Sequence, residues 1–158
     1  MGVRGRWAPD VIVVLGLLVL HFSLRRFLVG WPVMPSFLIG ALLLGALRLR
    51  AGNAALFGFF LGLLEAAMGL EGMGITSFVF TLVGYLGARS RDLLFADARH
   101  YVFTYLFVGT WVAEAALMLA MPGEAGLVGP LLLAPVSALV TAILCGSAEA
   151  VAAALRRP

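Results

Sequence analysis

GFFLGLLEAAMGLEG, residues 58–72, is the stretch on which the reading of this chain turns. From Gly58 to Gly69 it holds a single charge, Glu65, in a run of Gly, Phe, Leu, Ala and Met. A water-facing helix needs a polar side, and this segment has none to offer. At about 100° per residue, Gly58, Gly62, Glu65, Gly69 and Gly72 fall within an arc of about 80°. Glycines in such a stripe let a second helix backbone approach closely, as small residues do between membrane helices. The stripe reads either as internal packing of a bundle or as a contact face for a separate membrane partner. Glu65 sits on the same face, where an ionised carboxylate in hydrocarbon costs at least ~2.5 kcal/mol.

The surrounding chain is of the same kind. Of 158 residues, 63% are hydrophobic and 12% charged, with a mean hydropathy of +1.07. Soluble domains run nearer half apolar and about a quarter charged, so a water-soluble fold would leave an apolar surface. An all-α integral membrane protein follows, a single transmembrane domain over 1–158. At roughly 20 residues per crossing the length allows about six helices. Their expected positions are about 10–28, 35–47, 54–70, 74–88, 101–121 and 127–155. The second is short and opens on Trp31-Pro32-Val33-Met34-Pro35, which also suits a tilted or re-entrant segment.

The basic residues are all arginine, and their placement sets the orientation. With the N-terminus inside, Arg4, Arg6, Arg48, Arg50, Arg89, Arg91, Arg99, Arg156 and Arg157 are cytoplasmic, against Arg25 and Arg26 outside. The outer loops after the third and fifth helices carry only acids, Glu71 and Glu124. This asymmetry predicts six spans with both termini cytoplasmic. Arginines grouped beside apolar runs are membrane-flanking anchors, so the +3 net charge gives no reason to expect nucleic acid. The partner composition points to is the lipid bilayer.

Chemistry-bearing groups are few. Glu114 lies in the body of the fifth helix; Glu65 and Glu114 form the intramembrane polar site, with Thr110, Ser77 or Thr81 as candidate hydrogen-bond neighbours of the two carboxyls. Glu149 is expected to reach toward Arg156 or water. Ser77, Thr81 and Gly84, and likewise Ser137, Thr141 and Cys145, read as close-packing faces. His21 and His100 have no companions at ligand spacing, so no metal site is expected. There is no P-loop, HExxH or dinucleotide fingerprint, and Ser77 lacks a nucleophile's Gly-x-Ser context. No cofactor is expected, and the chain does not read as an enzyme.

The region Gly58 to Ala88, GFFLGLLEAAMGLEGMGITSFVFTLVGYLGA, resembles the signature region of MreD, the rod-shape-determining membrane protein of bacteria. Gly58, Phe59, Gly62, Gly74 and Tyr85-Leu86 fit the family pattern in register. Met34-Pro35-Ser36-Phe37 is similar to the family's entry to its second helix. The family's aspartate column falls on Ala66, with Glu65 one residue earlier, a rotation of about 100°. The resemblance implies a non-enzymatic scaffold of the cell-elongation machinery in the bacterial cytoplasmic membrane. It also implies binding to MreC, a single-span protein, and through it to MreB and the glycosyltransferase and transpeptidase that build lateral-wall peptidoglycan. The fold it implies is similar to the six-helix substrate-binding subunits of energy-coupling-factor vitamin transporters. A subunit of that kind is the alternative reading. Against it, helix 1 carries no alanine in VIVVLGLLVLHFSLRRFLVG, where such subunits show Ala-x-x-x-Ala.

Overall fold

The computed structural model describes residues 8–28, 35–69, 72–93, 99–121 and 128–155. Among them lie six helices and no strand: α1 (Ala8–Leu28), α2 (Phe37–Ala46), α3 (Ala51–Gly69), α4 (Met73–Leu93), α5 (Arg99–Ala120) and α6 (Val128–Leu155). The expectations for Arg4, Arg6, Met34, Glu71, Glu124, Arg156 and Arg157 lie outside the described residues, as do those for the side chains of Arg25, Arg26 and His100.

Three helices, over Ala51–Met68, Tyr101–Ala120 and Leu132–Ala154, are long and apolar enough to cross a membrane; Val11–Leu24 and Phe37–Ala46 are shorter apolar stretches. Most helix ends shift by one to three residues from the sequence reading, and one by five. α4 continues past Ala88 to Leu93, because Arg89-Ser-Arg-Asp-Leu93 contains no helix breaker. Arg91, in its last turn, favours the negative end of the helix dipole and donates to the carbonyls of Leu47 and Leu49 at 2.8 and 3.4 Å. α2 has only ten residues, about 15 Å of helix against about 30 Å of hydrocarbon.

That short helix is the centre of the molecule. All ten of its residues are buried, and it packs against each of the other five helices. The others form an arc around it in the order α1, α6, α5, α4, α3, each touching the next. Among the described residues α1 and α3, the two ends of the arc, do not pack on one another. The ring is open there. A cavity of about 240 Å³, lined by Val11, Leu15, Leu18, Gly45 and Phe57 among others, occupies part of that seam.

The α3–α4 hairpin shows how glycine sets the packing. A Cβ on Gly58 would fall under 3.0 Å from the Phe80 carbonyl, one on Gly62 at 2.5 Å from Ser77 Cα, and one on Gly84 under 3.0 Å from the Ala54 carbonyl. The three approaches repeat every four residues along an antiparallel pair, so two backbones meet with no side chain between them. The turn beyond α3 depends on Gly72, whose φ of +65° is left-handed, a conformation glycine adopts without the Cβ penalty.

Candidate functional site

Glu65 and Glu114 lie within the helical bundle, and the structure puts them in different places. Glu114 of α5 is 7% exposed and faces the start of α2. Ser36 Oγ and Ser137 Oγ donate to its Oε1 at 2.5 and 2.8 Å, and the Ser36 N–H donates to Thr141 Oγ1 at 2.9 Å. Ser36 is the N-cap of α2 but makes no side-chain capping bond, because its hydroxyl is turned to the carboxylate. Glu114 therefore ties α2, α5 and α6 together. The second carboxylate oxygen and the Thr110 hydroxyl, one turn earlier on α5, are buried without a hydrogen-bond partner among the described residues.

The neighbours differ from those the sequence suggested. Thr81 Oγ1 donates to the Ser77 carbonyl one turn back on α4, and both belong to the α3–α4 hairpin. The serines that do reach Glu114 come from 78 residues before it and 23 after it. Ser137, Thr141 and Cys145 at four-residue spacing do form one buried face, in which Ser137 and Thr141 carry hydrogen bonds while Cys145 packs beside Gly40.

Glu65 makes a different contact. Its Oε2 lies 3.1 Å from His21 Nε2 of α1, with side-chain exposures of 25% and 15%. His21, which the sequence left without a companion, thus meets an acid 44 residues away. No spacing rule reaches across such a distance; the usable signal was that an imidazole inside an apolar run needs a polar partner. This pair is the bridge across the otherwise open α1–α3 seam. Glu65 and Glu114 do not form one site, since α3 and α5 do not pack together.

The glycine face divides likewise. Gly58 and Gly62 are covered by α4 of the same chain. Gly69 is the last residue of α3, and Gly72, with its left-handed φ, lies beyond the helix beside Met121. The helical arc therefore stops short of Gly72, because a left-handed residue cannot continue a right-handed helix. Glu149 is held by Arg48 at 2.6 Å, because α2 packs on α6 and delivers the arginine at its end; the expected contact with Arg156 lies outside the described residues. Among the described residues no three His, Cys, Asp or Glu side chains gather as a metal site would require.

A sequence profile described as rod shape-determining protein MreD matches residues 5–147. The chain belongs to the MreD family. That membership, with the apolar helices, makes it a membrane protein with a role in rod-shape determination. MreD is a shape-determining structural family, not known as an enzyme family. No curated protein and no solved structure matches the chain.

Proposed function

We propose that this MreD chain is a non-catalytic scaffold of the cell-elongation machinery that binds an MreC-like single-span protein along the seam between α1 and α3. In this reading the bundle crosses the bacterial inner membrane six times, with both termini cytoplasmic. The bound partner links it indirectly to MreB and to the glycosyltransferase and transpeptidase of the lateral wall.

The observation that carries the reading is the partly exposed His21–Glu65 pair in a gap of an otherwise continuous ring. Ionisable groups within the hydrocarbon are expensive and normally face protein or a wet cavity. A pair left a quarter open on one side is accounted for when another helix covers it. The seam also offers apolar walls from Val11, Leu15 and Phe57, suited to a helix rather than to a polar small molecule. Gly58 and Gly62 support the reading by being occupied: they hold the hairpin that forms one bank of the seam.

The test is co-purification from native membranes in mild detergent. The parent chain should retain a single-span protein with an external domain. Glu65→Leu and His21→Leu should lose it by about tenfold, the effect of ~1.4 kcal/mol at an interface, while Glu114→Gln should keep it. Full retention by both seam variants would remove the seam from the interface. A vitamin bound to the purified protein would remove the scaffold reading itself.

A further inference from the structure

His21 has one polar atom more than its contact with Glu65 uses. An imidazole carries two ring nitrogens, and in the neutral ring one donates and the other accepts. Nε2 is engaged with Glu65 Oε2 at 3.1 Å. Nδ1 makes no hydrogen bond among the described residues. It is also not one of the buried side-chain atoms that lack a partner, so it keeps accessible surface on a side chain that is 15% exposed. The ring's aromatic neighbour, Phe22, stands edge-on with centroids 5.2 Å apart and offers no oxygen or nitrogen.

The surroundings of that nitrogen are apolar. His21 lies in the apolar stretch Val11–Leu24 of α1. Leu20 beside it and Leu64 beside Glu65 are exposed, as is Met68 about one turn further along α3. Side chains of this kind are covered by hydrocarbon, which offers an imidazole nitrogen no hydrogen bond. The level of the pair follows from the helix lengths. Glu65 is four positions before Gly69, the last residue of α3, and His21 is seven before Leu28, the last residue of α1. At about 1.5 Å per residue the pair lies about 6–10 Å inside those helix ends, which are the external ends in the proposed orientation.

We infer that the helix covering the α1–α3 seam presents an uncharged hydroxyl or carboxamide donor to His21 Nδ1. The inference rests on the seam being the partner interface, as proposed above, and adds what the partner must carry there. The carboxylate of Glu65 draws the ring proton to Nε2, which leaves Nδ1 as a lone-pair acceptor in need of a donor. An ionised donor would have to shed its water to reach that nitrogen beside exposed leucines, whereas a hydroxyl or an amide sheds far less. In a single-span partner with an external domain, the donor then falls about four to seven positions before the external end of the apolar span.

The experiment uses the full chain and the single-span protein that it retains from native membranes. Leu20→Cys and Leu64→Cys, each in a Cys145→Ala background, are oxidised against single cysteines placed along the partner's span. Disulfides should form at the level given above, with a Ser, Thr, Tyr, Asn or Gln of the partner within one turn of the bridged positions. Replacing that residue by its apolar counterpart and His21→Phe should each lower retention of the partner about tenfold, or ~1.4 kcal/mol. The two together should lower it no further, because they remove one and the same bond. The disulfide mapping keeps His21 in place, so it decides the matter even if His21→Phe does not fold. Additive losses, disulfides at another level, or only apolar partner residues at this level would overturn the inference and leave the seam as the interface. A partner retained without a disulfide from either cysteine, or no single-span protein retained at all, would overturn the seam reading and the inference with it.

Discussion

Gly62→Ala tests how the α3–α4 hairpin is held. The new methyl would lie 2.5 Å from Ser77 Cα and 3.0 Å from the Thr76 carbonyl. Real Cβ contacts do not fall under 3.0 Å, so the backbone of α4 must retreat by about 0.5 Å. No rotamer change can absorb this, because the obstacle is main chain. Overpacking of this sort costs ~1–3 kcal/mol, against a gain of ~1 kcal/mol from replacing glycine by alanine in a helix. Gly16 and Gly52 supply the reference, since a methyl at either meets nothing within 4 Å; there the propensity gain stands alone. The two classes should therefore differ by ~1–3 kcal/mol when unfolding is followed by helicity in mixed micelles with increasing sodium dodecyl sulfate. Gly58→Ala combined with Gly62→Ala should be less than additive, because one displacement of α4 relieves both. Gly62→Leu should leave little folded protein. If Gly62→Ala is as stable as Gly52→Ala, the hairpin is not close-packed through glycine and the reasoning fails.

At Glu114, replacement by glutamine should be nearly neutral, whereas leucine leaves Ser36 and Ser137 without their acceptor and should cost ~1–3 kcal/mol in the same unfolding assay. Arg48→Gln should lower stability by no more than ~1 kcal/mol, since the Arg48–Glu149 pair is 40% exposed on the arginine side and such pairs contribute little; a larger loss would show that the pair anchors α2. For topology, Gly52→Cys and Gly74→Cys, both exposed and placed in a Cys145→Ala background, should react with a membrane-impermeant thiol reagent from opposite sides of the membrane. Labelling of both from one side would contradict a spanning α3.

Much of the architecture is written in apolar runs interrupted by arginine, proline and glycine, so α3, α5 and α6 fall within a few residues of where hydropathy places them. The role of α2 is not legible that way. FLIGALLLGA is apolar on every side, and a helix with no polar face offers no direction from which to infer its neighbours; only its shortness, beside Pro32 and Pro35, is visible. The polar contacts were hidden for another reason. His21–Glu65 and Ser36–Glu114 join residues 44 and 78 positions apart, and their pairing follows from how the helices are arranged around α2, not from any local pattern. The glycine spacing was visible, but the identity of the covering helix was a tertiary fact.

The incomplete ring has a consequence for biogenesis. The α3–α4 hairpin is local and can form as soon as Leu93 has left the ribosome. The α5–α6 hairpin is equally local. The contact of α1 with α6 instead joins segments more than 100 residues apart in the order of synthesis, the kind of long-range closure that assembles late. Until α6 arrives, α1 has only α2 and the single His21–Glu65 contact to α3, and ten-residue α2 is too short to hold a place across the bilayer alone. The nascent chain thus passes through a stage in which its central helix depends on later helices for burial. Conditions that slow release of α6 should therefore expose α1 to membrane proteases before the α3–α4 hairpin.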